Sequence, residues 1–165
     1  MEKRDLYDIN KNLTGETIYK GYPIPDGQFI LVVLAFMQNS KGEFLIQKRS
    51  IQKGNKYGST GGHAKTGETS IQAMMTEINE EIGLSVNADE LKLVYSGRED
   101  STKMFYDIYY MRKDFSIDRL TLQEEEVESV KWMSIDEIKY LISRNEFLDS
   151  HIEEFYRILD YLNVN

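Results

Sequence analysis

Hydrophobic residues recur along this chain in two different periods. From Phe29 to Met37 all nine positions are apolar, a run that predicts a central strand covered on both faces. Asn39-Ser40-Lys41-Gly42 then turns the chain into Glu43–Arg49, where Phe44, Ile46 and Lys48 alternate with Leu45, Gln47 and Arg49. This period of two predicts the second strand of a hairpin, with basic side chains at its far end. Leu91–Ser96 and Lys103–Arg112 read as another antiparallel pair around Gly97–Ser101. There Met104, Tyr106, Ile108 and Tyr110 alternate against Phe105, Asp107, Tyr109 and Met111. The aromatics of that pair are read as core and cross-strand contacts before a base-stacking platform. Val127–Met133, carrying the single Trp, Trp132, is a further strand.

Three stretches switch to a helical period. Ile71, Met74, Met75, Ile78 and Ile82 fall on one side of a helix, Thr69 with Gln72 forms a capping box before it, and Gly83 is placed to end it. Ser134 with Glu137 caps a second helix bearing Ile135, Ile138, Leu141 and Ile142. Ser150 with Glu153 caps a third, bearing Ile152, Phe155, Ile158, Leu159 and Leu162. Helices on both sides of a mixed sheet make an α/β (equivalently α+β) sandwich of α/β/α type. Residues 1–27 read as an N-terminal hairpin or arm with its turn at Asn12–Gly15, followed by a loop at Tyr22–Gly27. The arm packs either on the sheet or on a second subunit, so a homodimer is one expectation. Nothing marks a domain boundary within the 165 residues, and a single domain is expected.

Charge and composition narrow the partners. The net charge of −8 argues against stable binding of a nucleic-acid polymer, which needs Lys and Arg to replace counterions. A nine-residue apolar run is far short of the roughly 20 that span a membrane, and MEKRDLYDIN has no apolar signal core. A cytoplasmic protein without membrane contact is expected. Without Cys there is neither a disulfide nor a thiol nucleophile.

The helix starting near Ser70 carries the candidate chemistry. Glu77, Glu80 and Glu81 project together, because positions i, i+3 and i+4 share a helix face. Like charges at this spacing repel by roughly 0.2–0.5 kcal/mol per pair, so grouping them beside a buried face calls for a cation. Carboxylate oxygens suit a hard ion such as Mg²⁺, Mn²⁺ or Ca²⁺, and neither Cys nor clustered His offers a softer site. The bland reading is a solvated acidic face. Against it stand Gly61-Gly62 and Gly67 just ahead of the helix, which let backbone approach a metal or phosphate closely.

Gly62, five residues, Glu68, seven residues, then Thr76-Glu77-Ile78-Asn79-Glu80-Glu81-Ile82-Gly83-Leu84 resembles the Nudix hydrolase signature, with eight of its nine fixed or class positions kept. The departure is Thr76, where the family has an Arg thought to pair with the acids and hold them in place. Arg49 or Lys65 could compensate. The order LYDINKNLTGETIYKG, long strand, GEFLIQKRS is also similar to the Nudix branch that includes isopentenyl diphosphate isomerase. The resemblance implies a Nudix-like α/β/α fold and a Mg²⁺- or Mn²⁺-dependent pyrophosphohydrolase acting on a small diphosphate substrate, a nucleoside diphosphate derivative or a related compound. It further implies Glu77 and Glu81 as main metal ligands, Glu80 as third ligand or water-orienting base, the Gly62 carbonyl as a backbone ligand and Glu68 as a supporting acid. Nudix proteins often place one more acid just ahead of a late strand; Glu126 matches it, with Glu125 its nearest competitor. Lys48 and Arg49, ending a strand, are either solvent contacts or phosphate ligands. His63 and His151 are read as hydrogen-bonding or surface residues. The alternatives are a non-catalytic nucleotide-binding regulatory module and an isomerase, the latter disfavoured because that family resemblance implies a catalytic Cys.

Overall fold

The computed structural model describes residues 1–164. In chain order the elements are β1 (Lys3–Tyr7), β2 (Leu13–Tyr19), β3 (Ile30–Gln38), β4 (Phe44–Arg49), β5 (Tyr57–Gly58), β6 (Thr60–His63), α1 (Ser70–Ile82), β7 (Lys92–Glu99), β8 (Met104–Arg112), β9 (Val127–Met133), α2 (Ile135–Ser143) and α3 (Asp149–Tyr161). β1 and β2 pair with each other, and the remaining seven strands form a mixed sheet in which five run in the order β5-β4-β3-β8-β7, β6 pairs with β3 and β9 pairs with β4. β3 runs parallel to β8 over its whole length, Ile30 facing Met104 and Gln38 facing Arg112.

The unbroken apolar run becomes the strand buried on both faces. Leu31, Val33, Ala35 and Met37 pack with Met74, Ile78 and Ile82 of α1. Leu34 and Phe36, pointing the other way, pack with Ile138 of α2 and with Phe155, Ile158 and Leu159 of α3. The sheet therefore lies between helices, as the two periods predict. No helix among the described residues is long and apolar enough to cross a membrane.

Four local expectations are corrected. β3 and β4 are not a full hairpin: they pair only at Gln38 and Phe44, after which β3 takes β6 as its antiparallel neighbour and β4 takes β9. The arm turns at residues 8–12, not 12–15. The Asp8 carboxylate accepts the N–H groups of Asn10 and Asn12, and Lys11 takes a left-handed φ of 65°, so an aspartate-centred turn forms before the Asn-Leu-Thr-Gly stretch. The Gly97–Ser101 turn moves toward residues 100–103, because β7 continues to Glu99. Ser150 does not cap α3, which starts one residue earlier, at Asp149. Its entry is fixed by main-chain bonds across to β5, with Leu148 N–H donating to Tyr57 at 2.7 Å. The boxes at Thr69/Gln72 and Ser134/Glu137 form as expected, and Gly83 closes α1 with φ 69°.

Candidate active site

The splay of β3 from β4 opens the sheet beside α1. Into that gap α1 brings Glu77 and Glu81, one turn apart, while Glu80 on the same turn stays in solvent. Although carboxylates, Glu77 is 8% and Glu81 4% exposed. Burial is the largest influence on both and pushes each carboxyl up to about 7. For Glu77 the nearby Lys65 charge opposes the shift. For Glu81 the opposing contact is a hydrogen bond from Gln47, and the negative charge of Glu77 adds to the rise.

Each buried acid has a defined cradle. Glu81 Oε1 accepts from Gln47 Nε2 at 3.0 Å and from the Gly61 N–H at 3.3 Å, and the same Gln47 nitrogen donates to Thr60 Oγ1 at 2.9 Å. Glu77 lies against Gly62, where a Cβ would stand 2.5 Å from the carboxylate. The two glycines are thus required by close approach rather than by a turn. Lys65 Nζ reaches Glu77 Oε1 at 3.4 Å and Glu80 Oε2 at 3.2 Å.

These acids open onto a cleft of about 940 Å³, within the size range of small-molecule sites. Glu126 lines it too, 3.5 Å from Arg49 and 3.3 Å from Lys53. The turn carrying Glu126 is tied to the end of α1, since Gln123 N–H donates to the Glu81 carbonyl and the Gln123 carbonyl accepts from Glu126 N–H. Glu125 instead is exposed, and its carbonyl accepts from Ser50 Oγ.

Not every candidate converges here. Glu68 is half-buried in the loop before α1, where its carboxylate accepts the Lys65 N–H at 2.8 Å; it closes that loop and does not line the cleft. Lys48 points to the other side of the sheet, 3.3 Å from Glu128 and over the Tyr57 ring. The period of two in β4 carries the reason: Arg49 shares a side with Leu45 and Gln47, Lys48 with Phe44 and Ile46.

Other residues around the two acids and the cleft were not assigned to the site from sequence. Gln47, fully buried, had no local signal beyond its place in that alternation. Arg4 comes from the arm, 9% exposed and paired with Glu2 at 2.8 Å. His63 and His151 both line the cleft as neutral imidazoles, held at about 4 and about 3 by burial first, then by Arg4 and Arg49 respectively. His151 Nδ1 accepts from Ser59 N–H at 3.0 Å, which leaves its proton on Nε2.

Among the described residues no three Asp, Glu, His or Cys side chains close into a ready-made metal cage. What the site offers is two desolvated carboxylates beside a Gly-Gly backbone, in a cleft large enough for substrate and water. That donor set fits Mg²⁺, which is commonly held by one or two carboxylates, with waters and substrate phosphate completing its shell.

Comparison with known proteins agrees with this geometry. A NUDIX domain profile matches residues 28–155. An uncharacterized Nudix hydrolase of Listeria monocytogenes is 35% identical over 152 residues, covering 90% of this chain and 89% of that protein. The crystal structure of DR0079 from Deinococcus radiodurans superposes with a TM-score of 0.73 at 23% identity, over 88% of this chain and 91% of that one. A bifunctional NMN adenylyltransferase/ADP ribose pyrophosphatase from Francisella tularensis, complexed with AMP and a manganese ion, has a TM-score of 0.60 at 20% identity, over 86% of this chain and 42% of that one. The chain belongs to the Nudix hydrolase family, whose members act on phosphoric anhydride bonds.

Proposed function

We propose that the protein is a Mg²⁺- or Mn²⁺-dependent pyrophosphohydrolase that cleaves the diphosphate linkage of a nucleoside diphosphate derivative or a related small phosphate compound. The observation that carries this reading is the pair Glu77 and Glu81, buried side by side at the mouth of a cleft and held by Gly62, Gly61 and Gln47. A desolvated carboxylate without full charge compensation is neutralised either by a proton or by a bound cation, and a divalent ion set between two such groups answers both at once. The Francisella neighbour, with its AMP and manganese, supports a nucleotide and a metal of this kind.

Glu77 and Glu81 hold the metal in this reading, with the Gly62 carbonyl as a backbone ligand and Glu80 as third ligand or water-orienting base. The bound ion would activate water and neutralise charge on the phosphoryl oxygens. In this reading Arg49 and Lys53, which line the cleft, bind a phosphate, and Glu126, paired with both, is the alternative base. Glu68 supports the site by fixing the loop before α1. Lys48, on the other side of the sheet, takes no part. The protein works in the cytoplasm on this reading, and β2, almost wholly exposed, leaves the arm available for a homodimer contact.

The test is release of phosphate and nucleotide from a panel of nucleoside diphosphate derivatives and dNTPs, with Mg²⁺ or Mn²⁺, for the wild type and Glu81→Gln. Metal-dependent turnover that falls by orders of magnitude in the variant supports the proposal and names the substrate. Saturable ligand binding without turnover by either protein replaces it with a regulatory nucleotide-binding module.

A further inference from the structure

Position 76 is Thr, so α1 itself supplies no cation to its acids, yet an ammonium group stands among them. Lys65 Nζ contacts Glu77 at 3.4 Å and both Glu80 oxygens at 3.2 and 3.4 Å. It arrives from the loop ahead of α1, and that loop is tied down on several sides. Lys65 N–H donates to Glu68, Ala64 N–H to the Leu31 carbonyl, Thr66 N–H to the Lys3 carbonyl, and Gly67 N–H to the Asp5 carboxylate. The backbone under Lys65 is thus fixed by β1, β3 and Glu68, while its flexible stem leaves the side chain about one-third exposed. Arg49, the basic side chain whose charge acts on Glu81, has its guanidinium 3.5 Å from Glu126.

We infer that Lys65 is the built-in counter-ion of the acidic helix, supplying from the loop the charge that Thr76 does not, and that a divalent ion must displace it to bind. This rests on the proposed metal reading of the same carboxylates. The physical reason is competition for oxygens. An ammonium and a divalent cation cannot both contact Glu77 without like-charge repulsion, and of the two only the Lys65 side chain can swing away into solvent. Lys65 is a positioning residue in this scheme: it keeps Glu77 and Glu80 together before the metal arrives and weakens metal binding in return.

Isothermal titration of the full chain with Mn²⁺ at pH 7.5, together with thermal melts with and without the ion, tests this on the wild type, Lys65→Met, Lys65→Gln and Lys65→Arg. Removing the charge in Lys65→Met or Lys65→Gln is expected to tighten Mn²⁺ binding by roughly 3- to 10-fold. The same variants should melt lower than the wild type without Mn²⁺ and level with it at saturating Mn²⁺. Lys65→Arg, which keeps the charge, should stay near wild type in both. Unchanged or weaker Mn²⁺ binding by both neutral variants, beside clear binding by the wild type, overturns the counter-ion role and leaves the metal reading intact. A wild type that binds no divalent ion overturns both.

Discussion

Gly62 and Glu77 are in direct contact: a methyl group on the glycine would stand 2.5 Å from the carboxylate carbon. The main chain of β6 and the acid of α1 therefore share a space that any side chain at position 62 would take. Gly62→Ala should keep the fold, since the obstruction is the end of a glutamate side chain, but turn Glu77 out of its position. A fall in kcat/KM of about 100-fold or more is expected, in line with the cost of small misplacements at reacting centres. Steady-state kinetics beside a thermal melt separates this from unfolding.

Arg49 and Lys48 are adjacent in sequence and opposed in space. Arg49→Ala should raise KM by roughly 10-fold, the loss of one charge-assisted contact to phosphate. Lys48→Ala should change kcat and KM by less than about 2-fold, since surface substitutions away from such contacts are near neutral. Equal effects of the two substitutions, measured by initial rates on one substrate, would refute the assignment of Arg49.

The buried acids set a pH dependence with a definite sign. Both carry protons up to about 7 in the folded chain, against 4.5 for a free glutamate. The folded state therefore binds protons more tightly than the unfolded state between those values. The stability these groups add is complete below about pH 4.5 and is lost as pH rises through about 7. Melts of the metal-free protein across that window should show the loss, and Glu77→Gln with Glu81→Gln should flatten it. Above pH 7, Mg²⁺ at 100 times its Kd should restore about 2.7 kcal/mol, or roughly 5–10 °C.

Asp107 ties the arm to the sheet. Only 2% exposed, it accepts from Lys11 Nζ at 2.7 Å, Ser70 Oγ at 2.5 Å and Ser96 Oγ at 2.6 Å. Asp107→Ala strands these donors and should cost about 1–3 kcal/mol in urea unfolding. Faster amide exchange in residues 8–12 than in the wild type would show the arm loosening.

Legibility differed from residue to residue for physical reasons. The helix, its Thr69/Gln72 box and its Gly83 stop were readable because caps and periodicity are local. The extent of the β3–β4 pairing was not, because it depends on β6 and β9 competing for the strand edges. The Ser150 box was a valid local signal overridden by the main-chain bond from Leu148 to Tyr57.

For the site, the sequence by itself determined that Glu77, Glu80 and Glu81 share a helix side and that the glycines precede them at the family spacing. Those relations follow from helix geometry over a few residues. Tertiary structure decided that Glu77 and Glu81 are desolvated while Glu80 is wet, that Glu126 and not Glu125 enters the cleft, and that Lys65 stands against the acids. Each of these depends on a partner distant in sequence, as with Gln47, 34 residues from the Glu81 it holds. Dihedral preferences fix the direction of a side chain on its own element, whereas its dielectric surroundings are set by whichever element packs against it.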